Sequence, residues 1–294
     1  MQNILGDRKA IVILLGPALL VYTLVMLVPV LWSLGLTFFE GNALFGFQPA
    51  GFDNFVQLFS DPRVLDAIWF TIRYAVIITV GQIVLGYGLS LLYVFALRRA
   101  SGIVRTLVFF PVVLPTVAVA LMFQQLFAVA PQNGIVNEFL NFFGVASVDW
   151  FGSAGTAFLV IVIMDIWRSM GFYAVLLYAG LVDIPEEVLE SARLDGARGW
   201  RLVSNIVLPL SLPVLLSAVI FSINGTLKVF DSILALTNGG PGTSTTPLTL
   251  YMFQTSFSYG EYGYGSTIAL VLTILCLGVT LFIFRSARRD NTLG

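Results

Sequence analysis

The chain alternates between long apolar stretches and short polar segments. Six stretches have the roughly 20 mostly apolar residues that a membrane-crossing helix needs, at residues 11–36, 69–97, 103–128, 156–181, 206–236 and 265–285. The first is longer than the apolar region of a signal peptide, about 7–15 residues, so we expect it to be retained. The pattern predicts an all-α integral membrane protein with six transmembrane helices, forming a single domain over residues 1–294.

Composition supports a bilayer environment. Hydrophobic residues make up 58% of the chain and charged residues only 11%, too few to cover the surface of a soluble domain. Histidine is absent, which removes the commonest general base and metal ligand. The single cysteine, Cys276, excludes a disulfide within the chain. The net charge of −1 offers no basic field for nucleic acid.

Basic residues concentrate in the two ends of the chain and in alternate connecting loops. They are Arg8, Lys9, Arg98, Arg99, Arg105, Arg193, Arg198, Arg201, Arg285, Arg288 and Arg289. The three other loops contain Arg63 alone among basic residues, together with several acidic ones. Because positively charged loops stay in the cytoplasm, this distribution predicts that both termini and the loop at residues 182–209 are cytoplasmic.

The segment from Asp183 to Pro213 predicts two short amphipathic helices around a glycine turn. Asp183 and Glu186 match a capping box, with Pro185 in the first helical turn. We expect Asp195-Gly196 to end the first helix. Apolar positions recur at helical spacing, at Val188, Leu189 and Ala192 in the first helix and at Trp200, Val203, Ile206 and Val207 in the second.

The detailed spacing of this loop resembles the EAA loop of ABC importer permeases. The family pattern is Glu-Ala-Ala, three residues, glycine, nine residues, then Ile-x-Leu-Pro. The matching positions here are Glu190, Ser191, Ala192, Gly196, Ile206, Leu208 and Pro209, with Ser191 in place of the second alanine. The resemblance implies the type I ABC importer permease fold, in which this loop docks as a coupling helix on a separate ATPase subunit.

The resemblance also implies roles within the loop, which includes Asp195. Glu190 would face the ATPase, Ala192 would allow its close approach, and Gly196 would make the turn. The chain has no G-x-x-x-x-G-K-[ST] nucleotide-binding motif. We therefore expect it to be no enzyme and to bind neither cofactor nor metal, with ATP and Mg²⁺ held by the partner subunits.

Two outer segments resemble the carbohydrate branch of that family. Residues 229–257, with the turn Gly239-Gly240-Pro241, are similar to the outer loop of the first permease subunit in maltose- and glycerol-phosphate-type importers. The segment FDNFVQLFSDP, which predicts a short amphipathic helix, is similar to their first outer loop. Residues 237–247 themselves predict an ordered loop without helix.

This second resemblance implies an assembly in a prokaryotic cytoplasmic (inner) membrane. The chain would pair with a second, homologous permease subunit as a heterodimer, and with two ATPase subunits. An extracytoplasmic solute-binding protein would deliver the solute to the loop containing Gly239-Gly240-Pro241. The expected solute is a disaccharide, an oligosaccharide, a polyol or glycerol phosphate.

Five polar residues of the fourth and fifth predicted spans are candidates for the solute path, because charge inside a membrane is costly and often functional. They are Asp165 and Arg168 in the fourth stretch, and Asn224, Lys228 and Asp231 in the fifth. The last three follow i, i+4, i+7 spacing and should share one helix face. They either form i, i+3 pairs that hold the bundle together or line the solute path, and the two roles are compatible.

The charged residues within the predicted spans leave two other functions open. An ion-coupled secondary transporter would use the buried Asp, Arg and Lys residues, but it would not explain the EAA spacing. An intramembrane aspartyl protease would use Asp165 and Asp231, but their surroundings, MDIW and VFDS, lack the expected glycine-rich setting. The importer permease accounts for more of the sequence than either.

Overall fold

The computed structural model describes residues 8–97, 100–129 and 132–290, and it is almost entirely helical. Arg98 and Arg99, used above to orient the chain, lie outside the described residues. The α-helices are α1 (Arg8–Tyr22), α2 (Val28–Leu36), α3 (Asp53–Ser60), α4 (Pro62–Leu91), α5 (Ser101–Val113), α6 (Thr116–Leu126), α7 (Ile135–Phe142), α8 (Ala154–Val182), α9 (Glu186–Leu194), α10 (Trp200–Leu202), α11 (Leu208–Thr226), α12 (Asp231–Leu236), α13 (Leu248–Phe253) and α14 (Tyr262–Asp290).

Short π-helical segments continue several of these helices, at Thr23–Leu27, Leu92–Ala96, Val203–Val207 and Gln254–Ser258. Strands β1 (Phe39–Asn42) and β2 (Gly46–Pro49) form an antiparallel hairpin in which Phe39 lies opposite Pro49. The amphipathic helix expected near residue 52 is confirmed as α3. Phe52, Val56 and Phe59 are exposed there, whereas Asn54 and Leu58 are buried.

Five described helical stretches are long and apolar enough to cross a membrane. They are Ile11–Leu36, Pro62–Ala96, Ala154–Val182, Trp200–Thr226 and Tyr262–Ile283. The stretch predicted at 103–128 is instead two helices, α5 and α6, that are bent by 95°. Pro115 causes this break, because proline disfavours a helical conformation in the preceding residue, and Leu114 is extended with ψ 140°. The described chain thus has five candidate spans, or six if the bent pair is one span.

The prediction of one helix over residues 206–236 is wrong. α11 ends at Thr226, and α12 begins anew at Asp231, whose acidic side chain suits a first helical turn. The backbone between them leaves the helix at Phe230, with φ −145° and ψ −65°. The carbonyl of Val229 accepts a hydrogen bond from the Thr249 hydroxyl, which satisfies a backbone group that the interruption frees. Asn224 and Asp231 therefore do not share a helix face.

The prediction for the loop after α8 is confirmed in part. α9 ends at Leu194, and Gly196 has the positive φ of +88° that favours glycine at such a turn. The capping box is wrong: Asp183 is the C-cap residue that follows α8, and Pro185 is the N-cap of α9 and makes no side-chain cap hydrogen bond. The second helix is not a separate element either, because α10 continues through the π segment at 203–207 into α11.

The chain divides into two compact units. The first comprises Met1–Val64 and Tyr251–Ile274, and the second comprises Leu65–Leu250 and Leu275–Gly294. In the first unit, no residue of the most apolar part of Ile11–Leu36 is buried. In the second, α8 packs against α5 and α11, and α12 packs against α6. The Gln124 amide of α6 donates to the carbonyls of Ala235 (3.0 Å) and Leu236 (2.7 Å), which fixes the end of α12.

Candidate functional site

A polar cavity of about 290 Å³ lies among the apolar helices of the second unit. Residues of α4, α6, α8, α11 and α12, and of the turn between the last two, line it. They are Tyr74, Gln82, Thr116, Asp165, Arg168, Ser169, Tyr173, Ser222, Gly225, Thr226, Lys228, Val229, Phe230, Asp231 and Ser232. Most of these side chains carry hydroxyl, amide or charged groups, so the cavity suits a polar solute.

Gln82 is the centre of an uncharged hydrogen-bond network in this cavity. Its amide nitrogen donates to Ser169 Oγ (2.6 Å), and its amide oxygen accepts from Ser222 Oγ (2.7 Å). Ser169 Oγ lies 2.5 Å from the carbonyl of Asp165, to which it donates. The network connects α4, α8 and α11 and supplies neutral donors and acceptors, the groups that exchange hydrogen bonds with hydroxylated ligands.

Asp165 is buried in the cavity wall and is satisfied by neutral donors. Its Oδ2 accepts hydrogen bonds from the hydroxyls of Tyr74 (2.7 Å) and Ser232 (3.0 Å). The expected i, i+3 partner, Arg168, contributes no such bond, and its buried Nε has no hydrogen-bond partner within the described part of the chain. The carboxylate therefore joins α8 to α4 and α12.

Four of the five candidates from the sequence line this cavity, and the fifth does not. Asp165, Arg168, Lys228 and Asp231 are all at its wall. Asn224 instead donates to the carbonyl of Ile220 (2.9 Å) and accepts from Thr280 (3.1 Å). Asn224 thus connects α11 to α14 within the second unit.

The sequence analysis missed the uncharged members of the cavity, Tyr74, Gln82, Ser169, Ser222 and Ser232. A polar amide within a long apolar stretch was a usable signal for Gln82. The serines carried no such signal, because their hydroxyls can bond to the backbone of their own helix. Only the tertiary structure brings them together.

The loop after α8 has one exposed and one buried face. Glu190, Ser191, Asp195 and Gly196 are exposed, as are two large apolar side chains, Leu194 (88%) and Trp200 (76%). The buried face contains Leu181, Leu189, Ala192, Leu202 and Val207 in one apolar cluster, with Ile206 packed against it. Leu208 is half-buried and Pro209 is exposed.

Three expectations for individual loop residues change. Val188 was placed on one apolar face with Leu189 and Ala192, but it is 40% exposed. Ala192 was expected to allow a partner's close approach, but it packs inside its own chain against the apolar cluster. Trp200 was placed on the same apolar face as Val207, but it is exposed while Val207 is fully buried.

The segment at residues 237–247 is confirmed as an ordered loop without helix, held together by threonine hydrogen bonds. Thr245 Oγ1 donates to the carbonyl of Gly240 (2.6 Å), and Thr246 Oγ1 donates to that of Gly239 (3.2 Å). Gly239 is buried with φ +85°, and a Cβ there would approach Leu250 within 3.3 Å. Gly239, Gly240 and Pro241 thus shape the loop, and Asn238, Gly242 and Thr243 are its exposed residues.

The first unit contains a separate polar cluster around Asp61. Its Oδ2 accepts hydrogen bonds from Tyr251 (2.5 Å) and Tyr264 (2.7 Å). Burial alone would raise the pKa of Asp61, but the two tyrosine hydroxyls, together with the backbone and charge of Arg63, hold it below its ordinary value. Burial and the hydrogen bond to Asp61 raise the pKa of Tyr251 to about 12. Within the described residues, no group of three or more His, Cys, Asp or Glu side chains could hold a metal ion.

Residues 82–289 match the protein family described as binding-protein-dependent transport system inner membrane component. The chain is 35% identical over 289 residues to the sulfoquinovosyl glycerol transport system permease protein SmoG of Agrobacterium fabrum, covering 98% of this chain and 93% of that protein. It is 30% identical over 283 residues to the trehalose/maltose transport system permease protein MalF of Thermococcus litoralis, covering 96% and 95%.

The fold resembles that of a solved bacterial ABC transporter involved in the import of the acidic polysaccharide alginate. The TM-score is 0.85 at 23% identity, with 98% of both chains covered. The protein belongs to the family of binding-protein-dependent transport system inner membrane components. It is therefore a permease component of an ABC importer, and the ATP is hydrolysed by separate subunits. The ion-coupled alternative has no support from these relatives.

Proposed function

We propose that this permease carries a sugar or sugar-like solute across the membrane through the polar cavity of its second unit. The observation that carries the proposal is the uncharged network around Gln82, which offers closely spaced donors and acceptors to solute hydroxyls. Tyr173 and Phe230 add aromatic faces to the same cavity. Relatives that are named as trehalose/maltose and lactose transport system permease proteins support the same solute class.

The assembly we propose has two unlike permease subunits, this chain being one. Two ATPase subunits bind ATP and Mg²⁺ on the cytoplasmic side, and a binding protein delivers the solute to the loop around Gly239-Gly240-Pro241. This chain crosses the membrane six times if α5 and α6 count as one span, with both termini in the cytoplasm. The charge distribution of the loops supports this orientation.

The coupling function belongs to the loop between α8 and α11. Glu190, Ser191 and Asp195 are exposed beside the large apolar side chains of Leu194 and Trp200. A surface with an exposed tryptophan at its centre and charge around it is typical of a protein interface. ATP-driven movement of the docked ATPases would reach α8 and α11 through the apolar cluster beneath the loop.

The test is solute uptake by the complete importer in proteoliposomes, with Gln82→Leu in this chain. Labelled trehalose, maltose, lactose and sulfoquinovosyl glycerol are the probes, and the probe with the highest wild-type uptake is used for the comparison. We expect uptake to fall by about ten-fold, because each lost hydrogen bond to an uncharged ligand contributes about 0.5–1.5 kcal/mol. Complex assembly should be unchanged.

The matched control is Gln57→Leu, the same substitution at an exposed position of α3. It should leave uptake at the wild-type rate. Unchanged uptake in an assembled Gln82→Leu importer would show that the solute follows another path.

A further inference from the structure

A second cavity, an apolar groove of about 740 Å³, lies beside the proposed coupling loop. One wall contains Leu91, Leu92 and Phe95, which end the candidate span Pro62–Ala96. The other contains Leu202 and Val203, which begin the candidate span Trp200–Thr226. Both walls are thus the ends of candidate spans, so in a membrane the groove would lie near the headgroup region.

Two arginines give this apolar groove a positive rim. Arg193, at the end of α9, and Arg198, in the following turn, both line it. Arg198 is exposed and Arg193 is partly exposed. Among the described residues, the lining contains these two cations and no acidic side chain.

We propose that this groove is a binding site for an anionic phospholipid. An acyl chain would lie along the leucine and phenylalanine side chains, and the phosphate would accept hydrogen bonds from Arg193 and Arg198. Basic pockets between membrane-spanning helices are suited to such headgroups, and arginine matches phosphate geometry. A zwitterionic lipid would bring a headgroup cation next to the two arginines, and a soluble anion would leave the apolar walls exposed.

The consequence concerns the coupling loop. α9 and the turn at Gly199 form part of the groove, together with the end of α4. A bound lipid would therefore hold the loop against the membrane-spanning helices. The anionic lipid content of the membrane, and not the solute, would therefore determine how tightly the loop packs against these helices.

The test is native mass spectrometry of the purified full-length chain with equal amounts of dioleoyl phosphatidylglycerol and dioleoyl phosphatidylcholine. The wild type should retain phosphatidylglycerol preferentially. Arg193→Gln with Arg198→Gln should reduce that preference by about five-fold for each arginine removed. Arg201→Gln is the matched control, an exposed arginine of the same segment that does not line the groove, and it should keep the wild-type preference.

A second variant tests the apolar half of the site. A Cβ at Gly88, which lines the groove, would meet nothing within 4 Å, so Gly88→Phe can enter the groove without a clash at Cβ. It should lower retention of both lipids. Glycerol phosphate, which has the same anionic group without acyl chains, should not displace phosphatidylglycerol.

Three results would overturn the proposal. One is equal retention of the two lipids by the wild type, and another is an equal loss of preference in Arg201→Gln. The third comes from the assembled importer carrying Cys276→Ser and Gly88→Cys. If the cysteine introduced at position 88 crosslinks to an ATPase subunit and no lipid is retained, the groove is a contact site for the ATPase. None of these results depends on solute transport.

Discussion

Asp165 illustrates how single residues stabilise a polar site inside an apolar bundle. A buried carboxylate is tolerated when donors satisfy it, and here the donors are the neutral hydroxyls of Tyr74 and Ser232. Since these three residues belong to α4, α8 and α12, one carboxylate oxygen fixes three helices. The polar cavity therefore has a hydrogen-bonded acceptor in its wall, and Arg168 and Lys228 also line it.

Two substitutions of Asp165 should separate the effect of losing its hydrogen bonds from the effect of losing its charge. Asp165→Ala leaves both hydroxyls without their acceptor, and we expect the free energy of unfolding to fall by about 1–3 kcal/mol. Asp165→Asn retains one oxygen acceptor and should lose less. Thermal unfolding of the detergent-solubilised chain, followed by tryptophan fluorescence, measures both. Equal stability of Asp165→Ala and the wild type would contradict the role of this carboxylate.

Asp61 in the first unit gives a pH-dependent prediction. Its folded-state pKa lies below the ordinary value of 3.8, so ionised Asp61 stabilises the fold at neutral pH. That contribution is lost as the pH falls below 3.8 and through the lowered pKa. Tyr251→Phe removes one of the hydrogen bonds that lower the pKa. We therefore expect the pKa of Asp61 to rise, and the stabilisation to be smaller and lost at higher pH.

Carboxyl ¹³C NMR in micelles, with the Asp61 signal assigned through Asp61→Asn, measures this shift. Tyr259→Phe is the control, because Tyr259 is an exposed tyrosine without a contact to Asp61. An unchanged Asp61 pKa in Tyr251→Phe would show that the tyrosine hydrogen bond does not stabilise the ionised carboxylate.

At the scale of elements, periodicity and hydropathy predicted where most helices lie. The apolar stretches, helix α3 and the glycine turn at Gly196 depend on local sequence, and these were predictable. The interruption of α11 was not, because Leu227, Val229 and Phe230 continue the apolar run. What permits the interruption is a hydroxyl 20 residues away, on Thr249, that bonds to the freed carbonyl. The cavity escaped prediction for the same reason, since its serines become a site only through contacts between helices.

The crossing of α5 and α8 depends on Gly171. A Cβ at this position would lie 2.8 Å from the carbonyl carbon of Val108 and 2.9 Å from Cα of Phe109. Gly171→Ala should thus force the helices apart and destabilise the protein by about 1–3 kcal/mol. Gly155→Ala, on the same helix and with nothing within 4 Å, should be neutral or slightly stabilising. Equal melting temperatures for the two variants would contradict close packing at this crossing.

At the scale of the whole molecule, a permease needs a surface that transmits movement from its ATPase. The loop between α8 and α11, proposed above as this surface, is exposed on its outer face, while its inner face packs in an apolar cluster with Leu181, Leu202 and Val207. Reversing a charge on the outer face should weaken docking without unfolding the loop.

Glu190→Lys is the corresponding test. We expect affinity of the permease for its ATPase to fall roughly ten-fold, since charge reversal at an interface costs several kcal/mol at most and less at its rim. The measurement is a titration of purified ATPase against the two permease subunits embedded together in nanodiscs. Glu138→Lys, the same reversal on α7, is the control and should bind as the wild type does. Normal binding by Glu190→Lys would place the ATPase elsewhere.

The polar cavity has a consequence for how the cargo is released. On the solute path proposed above, a cavity of about 290 Å³ lined by hydroxyl and amide groups has the room and the polar partners for water, which a solute would displace. Each sugar hydroxyl that enters replaces a water molecule making a similar bond, so the gain in enthalpy is small. The cavity would therefore bind the solute weakly and release it quickly, as a transport path requires. Discrimination between solutes would then fall to the protein that delivers them.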